Sequence, residues 1–273
     1  EPTRVVSFQM YTNYPNAYGI ETAGGYQALN IKRYQEFWRK VQEPGRQIFP
    51  SAISDRDLGR LALNPREHRA EWNLAALYDL NLLSLLNVRY VLSRDRLVAP
   101  GITERTGPAT PWSALSVRQK IETNLSANFT GRTHLYVYEN HNVMPRFFLA
   151  DRLRVLADGA RVLDALAGAD LDTLRRTVFV ERALLPPGLN DDTPLFGGTI
   201  RLDRYEADRV KLSVTSSGAS VLVATNSFSP YWRARVNGVA APVFPADHAF
   251  WGLYLPTGSS TVEFFYDPPY RIY

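Results

Sequence analysis

The sequence predicts an α+β protein: a mixed α/β N-terminal portion followed by a C-terminal antiparallel β-sandwich, immunoglobulin-like or jelly-roll-like. Three observations point there. Residues 200–266 carry short alternating apolar runs divided by turn residues. Asn237-Gly238 between two such runs is a strong hairpin signal, because a type I′ turn needs positive φ at both central residues. Upstream, apolar residues recur at three and four spacing in two stretches before Leu86, as helices require.

In the sandwich portion, Val210, Leu212 and Val214 alternate with Lys211 and Ser213. Val221 to Ala224 is apolar or small throughout and reads as a strand buried on both faces. Trp232, Ala234 and Val236 point one way and Arg233 and Arg235 the other; Val262, Phe264 and Tyr266 share a face. In the N-terminal portion, Arg4 to Met10 predicts a strand, and 29–41 a helix with Ile31, Tyr34, Phe37, Trp38 and Val41 on one face, stopped at Pro44-Gly45. Glu71 to Leu86 predicts a second helix. Val88–Leu92 and Leu135–Tyr138 read as strands in need of partners, which either half can supply. Gly159 to Ala167 predicts a short helix and Thr177 to Glu181 a strand. Turns are expected at Ser54-Asp55 and Asn64-Pro65, and a long excursion over 95–131. The Pro/Gly-rich stretch 186–198 is the expected boundary between a 1–185 portion and a 199–273 portion.

Composition narrows function. The 273 residues contain no cysteine, which excludes disulfides and Cys-based metal sites. Fifteen Tyr and thirteen Phe suit a β-rich fold. The net charge is +4, and only Lys32, Lys40, Lys120 and Lys211 are lysines. The arginines are scattered, whereas a nucleic-acid surface concentrates them in a stripe, so no nucleic-acid partner is expected. No run approaches the ~20 apolar residues that span a bilayer. The start, Glu1-Pro2-Thr3-Arg4, has neither an initiator Met nor the form of a signal peptide, and the chain is read as a piece of a longer protein.

No catalytic signature is present: no Gly-x-Ser-x-Gly elbow, phosphate loop, dinucleotide fingerprint or His-Glu-x-x-His. No catalytic residue, metal ligand or cofactor is therefore assigned. His68, His134, His141 and His248 lie in four separate segments without ligand spacing. Asp247-His248 is an acidic–imidazole pair, with Ser227 and Ser229 in the same region, but nothing orients a nucleophile; a loop held by the Asp carboxylate is favoured. Asp191-Asp192 lacks the further oxygen donors that calcium requires. Glu139 and Glu181 follow strands, with nothing to relate them as a glycosidase pair. Asn124-Leu-Ser126 and Asn128-Phe-Thr130 match the glycosylation sequon, read here as chance. The aromatics Tyr231, Trp232, Phe250, Trp251 and Tyr254 fall on neighbouring strands. Trp232, Phe250 and Phe264 are assigned to the core. Alternation places Trp251 opposite Phe250, so Trp251, Tyr231 and Tyr254 are the candidate carbohydrate-binding residues.

Four elements carry a resemblance. The longest runs Tyr231-Trp-Arg-Ala-x-Val-Asn-Gly238, x-Pro242-Val243, Ala246-x-x-Ala249-Phe250, Leu255-Pro-Thr-Gly258 and Val262-Glu-Phe-x-Tyr-x-Pro268. The others are Gly25-Tyr26 with Arg33-Tyr-x-Glu-Phe37, Leu82-Leu-x-Leu-Leu-Asn-Val-Arg-Tyr-Val-Leu92, and Tyr136-Val-Tyr-Glu-Asn-x-x-x-Met-Pro-Arg-Phe-Phe-Leu149. Taken in chain order they resemble the C-terminal extracytoplasmic region of bacterial YfhO-like polytopic membrane proteins, which are grouped with glycosyltransferases using lipid-linked sugars. The resemblance implies a place on the extracytoplasmic face of the cytoplasmic membrane, in the periplasm or at the cell surface. It implies partnership with the membrane-embedded part of the same polypeptide, and a parent that transfers sugar from polyprenyl phosphate to an envelope polymer or glycolipid. The catalytic carboxylate of such enzymes lies near the membrane-embedded half, so none carries over to this chain. The expected role is accessory: positioning an acceptor glycan or bracing the membrane part. The alternatives are a stand-alone carbohydrate-binding module using exposed aromatics and, ranked last, an autonomous hydrolase.

Overall fold

The computed structural model describes residues 2–8, 15–24, 31–48, 72–93, 96–106, 116–118 and 135–269. The expected turns at 54–55 and 64–65, the sequons, Pro111, His68 and His134 lie outside them.

The first layer is a mixed four-stranded sheet. Strand β1 (Arg4–Phe8) is followed by helices α1 (Lys32–Val41) and α2 (Glu43–Ile48). Phe37 and Val41 are the fully buried residues of α1, as its apolar spacing requires. Pro44-Gly45 does not end the helical path. The chain breaks at Gln42 and restarts at Glu43, which puts Pro44 in the first turn of α2, where a missing N–H costs no helical bond.

The expected long helix over 71–86 is three pieces within the described residues: β2 (Trp72–Asn73), a 3-10 turn at Leu74–Ala76, and α3 (Leu80–Leu85). Two side chains divide it. Asn73 accepts a hydrogen bond from the Ala75 amide at 3.0 Å. Asp79 accepts from the amides of Asn81 and Leu82 at 2.9 and 3.0 Å. Both act as caps, so the apolar spacing survives while the helix restarts.

Strands β3 (Val88–Ser93), β4 (Leu97–Val98), β5 (Ile102–Glu104) and β6 (Tyr136–Asn140) follow. The two strands that needed partners find each other: β3 and β6 pair antiparallel, with Tyr90 opposite Glu139. Strand β1 runs parallel to β3, and β5 closes the sheet beside β6. Strand β2 pairs with β4.

Next come β7 (Phe147–Ala150), β8 (Arg152–Leu156), α4 (Gly159–Ala167), α5 (Leu171–Arg176) and β9 (Thr177–Glu181), with β8 and β9 parallel. Helix α4 and strand β9 have the bounds their sequence predicts. Asp158 and Asp170 cap the two helices by accepting from the amides of Arg161 and Thr173.

The sandwich is built from β10 (Gly198–Tyr205), β11 (Arg209–Ser216), β12 (Ser220–Ser227), β13 (Trp232–Val236), β14 (Val239–Ala241), β15 (Phe244–Ala246), β16 (Phe250–Leu255) and β17 (Gly258–Tyr266). One sheet has the order β10-β11-β17-β13-β14 and the other β15-β16-β12-β7. Every pairing within them is antiparallel. Asn237 and Gly238 take φ of 51° and 83°, closing the β13–β14 hairpin with Val236 opposite Val239.

The second sheet includes β7, which precedes the Pro/Gly-rich stretch, so the two portions of the chain share a sheet. Leu189 and Leu195, from within 186–198, are buried in the same core as Val6, Phe37, Phe179 and Phe250. The stretch separates the portions in sequence but not in packing.

The molecule is consequently layered, and the β15-β16-β12-β7 sheet is its middle layer. One face packs Leu222, Ala224, Trp251 and Leu253 against Val210, Leu212, Val262 and Phe264 of the outer sheet. The other packs Val221, Val223 and Phe250 against Phe37 of α1, Val162 and Leu166 of α4, and Phe179 of β9. This explains the unbroken burial of Val221–Ala224.

Candidate functional site

Buried polar groups gather at two seams between these layers. The first lies where α1 meets the turn joining β15 to β16. Asp247 and His248 form that turn with φ of 46° and 68°, a left-handed conformation that costs a non-glycine residue about 1–3 kcal/mol. A two-way clasp on β9 holds it. The Asp247 amide donates to the Phe179 carbonyl at 2.9 Å, and the Phe179 amide donates to Asp247 Oδ1 at 2.8 Å. Asp247 is completely buried and its Oδ2 has no hydrogen-bond partner. Burial pushes its carboxyl up to about 7, opposed only by the Phe179 amide.

The clasp aims His248, 5% exposed, between two carboxylates. Its Nε2 lies 2.9 Å from Glu36 Oε2 of α1, and its Nδ1 lies 3.4 Å from Glu181 Oε1 at the end of β9. Arg33, one helical turn before Glu36, pairs with Glu181 through both terminal nitrogens and donates to the His248 carbonyl at 3.2 Å. Its Nη1 is also 3.4 Å from His248 Nδ1. Gly159 at the start of α4 closes over the ring: a Cβ there would stand 2.8 Å from the imidazole and 2.9 Å from Glu181.

The chemistry open to this cluster is limited by its geometry. The carboxylates occupy opposite edges of the imidazole and do not converge on a point where a cation could sit. Among the described residues no group of three His, Asp or Glu side chains is arranged to hold a metal. No serine or threonine hydroxyl among the described hydrogen bonds reaches His248. The arrangement fastens α1 to β9 and to the middle sheet through charge-assisted bonds between partly buried groups.

The second seam centres on Arg146, 1% exposed, at the entry to β7. Its Nη2 donates to Glu21 Oε1 at 2.6 Å and to the Tyr205 hydroxyl at 2.7 Å, and its Nε donates to Asn226 Oδ1 at 2.7 Å. Arg4 of β1 donates to the same Glu21 oxygen at 2.9 Å and to the carbonyls of Leu86 and Thr225. Burial works to raise the Glu21 carboxyl, but the cations of Arg4 and Arg146 hold it below the ordinary range. Burial, with the neighbouring Arg4 cation, depresses Arg146 against the opposing pull of Glu21 and Tyr205. This network joins the first sheet to both sheets of the sandwich.

The aromatic candidates divide. Trp251 is 1% exposed, its ring centre 4.2 Å from that of Trp232 in a tilted contact and 4.9 Å from that of Phe264, with its indole N–H donating to the Ser227 carbonyl at 3.0 Å. The expectation of an exposed Trp251 is corrected. Alternation does set it opposite Phe250, but its strand lies in the middle layer and both faces are covered. Tyr254 is 39% exposed. Tyr231 is half-buried with its ring edge-on to Tyr266, itself 42% exposed.

The other residues weighed in the sequence have local structural partners. Asp191 accepts from the Val155 amide. Glu139 sits between Arg89 and Arg105, and His141 Nε2 lies 2.7 Å from the Thr103 hydroxyl. Glu139 and Glu181 belong to different sheets, each with its own arginines. Sequence reasoning noticed His248 and Asp247 but assigned no role to Arg33, Glu36, Glu21 or Arg146. Arg33, Glu36 and Arg146 do stand within the motifs quoted above, the one signal that marked them.

The class defined by this geometry is a layered α+β protein with two buried ionic seams. No family model matches the chain, and no curated protein or solved structure matches it. No helix among the described residues is long and apolar enough to cross a membrane.

Proposed function

We propose that the chain is a non-catalytic extracytoplasmic domain of a membrane-embedded, glycosyltransferase-like protein, which positions an acceptor glycan or braces the membrane part during glycosylation of an envelope polymer or glycolipid. The observation that carries this reading is where the motif segments meet, His248 standing at one of the unspecified positions of its segment. Arg33 and Glu36, from the Arg-Tyr-x-Glu-Phe element, contact His248, from the Ala-x-x-Ala-Phe element, and Phe37 packs on Phe250 at 4.9 Å between ring centres. Arg146, from the Met-Pro-Arg-Phe-Phe element, fills the other seam. Elements far apart in sequence thus depend on one another, as parts of one inherited domain would. Their polar groups are spent on holding the layers together, which suits a bracing role.

The purified chain, supplied with a polyprenyl-phosphate-linked sugar and an envelope acceptor, is expected to transfer no sugar. Turnover above a no-protein control would overturn the non-catalytic assignment.

A further inference from the structure

We infer that the cleft between the β4–β5 segment and β6 is a binding site for one neutral pyranose unit. Its volume is about 270 Å³. Arg96 and Glu104 stand on its walls, and Leu97, Ile102 and the buried ring of Tyr138 form an apolar floor. The Tyr138 hydroxyl is committed to the Leu97 amide at 2.9 Å, and the Tyr136 ring stacks on it at 6.3 Å, so the floor is fixed. Tyr136 also hydrogen-bonds Arg96 and helps hold the guanidinium charged.

Opposite charges line the cleft: Glu104 acts on Arg96 through its charge, but among the described residues no direct ion pair joins them. The cleft therefore offers on one wall the guanidinium donors not taken by Tyr136, and on the other a carboxylate whose Oε1 already accepts from the Thr106 hydroxyl at 3.2 Å and whose Oε2 remains to accept. A hydroxyl is both donor and acceptor, so vicinal hydroxyls can accept from Arg96 and donate to Glu104 at once. The C–H face of a pyranose suits the apolar floor. A lone anion would meet Glu104 and a lone cation Arg96, whereas a neutral polyol bonds to both walls without opposing either charge.

This deepens the glycan-positioning reading, but its test is independent of the membrane. Methyl glycosides of the gluco, galacto and manno series are titrated to about 50 mM into the ¹⁵N-labelled chain, well past the millimolar range of weak binding. At least one is expected to give saturable amide shifts confined to 96–104 and 136–138. Arg96→Ala and Glu104→Gln should each weaken it by about tenfold or more, as loss of a charge-assisted bond does, with the rest of the spectrum unchanged. Absence of saturable shifts with all three sugars, shifts centred on Tyr231 and Tyr254 instead, unaltered affinity in both variants, or tighter binding of inorganic phosphate would each overturn the site. Sugar binding here by a chain that proves not to belong to a membrane protein would leave the cleft standing and remove only the envelope reading.

Discussion

Trp251→Ala is expected to destabilise the fold by about 3–5 kcal/mol, the usual cost of emptying a core position of this size. The indole is in close contact with the rings of Trp232 and Phe264 and lies opposite Ala224 and Pro245 on the neighbouring strands. Truncation would leave a cavity in the sandwich core and strip the Ser227 carbonyl of its indole donor. Those neighbours are anchored in two sheets and cannot close over the gap without moving backbone. Tyr254→Ala, three residues along on a partly exposed position, should cost less than about 1 kcal/mol. Urea unfolding of both variants provides the check. A Trp251→Ala protein as stable as the parent would contradict the three-layer packing. Loss of sugar binding in that variant would carry no information, because its core would be damaged.

The second large effect is pH-dependent and resides in Asp247. Its carboxyl is raised from an ordinary 3.8 to about 7 because the group is wholly buried, so the folded protein holds this proton more tightly than the unfolded chain. Its contribution to stability is therefore fully present below about 3.8, declines as pH rises through the window, and is gone above about 7. At about 1.4 kcal/mol per unit, the full swing is on the order of 4 kcal/mol. Glu21 runs the other way: its carboxyl is held low by Arg4 and Arg146, so its contribution is present above the ordinary range and lost in acid. The difference between the parent and Asp247→Asn isolates the Asp247 part. The Asn amide group will meet the same unpartnered space as Oδ2, but that cost does not vary with pH. The parent should lose stability relative to Asp247→Asn as pH rises from about 4 to about 7, and the gap should level off above that. Parallel curves across the window would show that Asp247 ionises freely.

The sandwich was legible because its signals are local. Alternation at Val210–Val214, the Asn237-Gly238 turn and the apolar run at Val221–Ala224 each act over a few residues. Helix α4 and strand β9 were legible for the same reason. Where the reading failed, a single side chain or a distant layer decided the outcome. Asn73 and Asp79 capped backbone amides and divided one apolar stretch into three pieces. Trp251 was placed on the correct side of its strand, but alternation states only that two faces differ, not that one of them is wet. The ionic seams were least accessible. Arg33 meets Glu181 across 148 residues, and Arg146 meets Glu21 across 125. No spacing rule within one sequence connects positions so far apart. The Asp247-His248 pair could be singled out by its own chemistry, whereas Glu36, which faces the imidazole, was marked only by its place in the Arg-Tyr-x-Glu-Phe segment.

The membrane assignment is tested most directly by sidedness. The chain has no native cysteine, and Val239, at the rim of the β13–β14 hairpin, is 70% exposed, so Val239→Cys places one reactive thiol on the surface. The complete native reading frame carrying this substitution is produced in a bacterial host, and intact spheroplasts are treated with a membrane-impermeant maleimide. The unsubstituted protein serves as the control. The expected result is a protein that sediments with the membrane and is labelled at Val239→Cys without lysis. A protein recovered in the soluble fraction, or labelled only after the membrane is broken, would contradict the account.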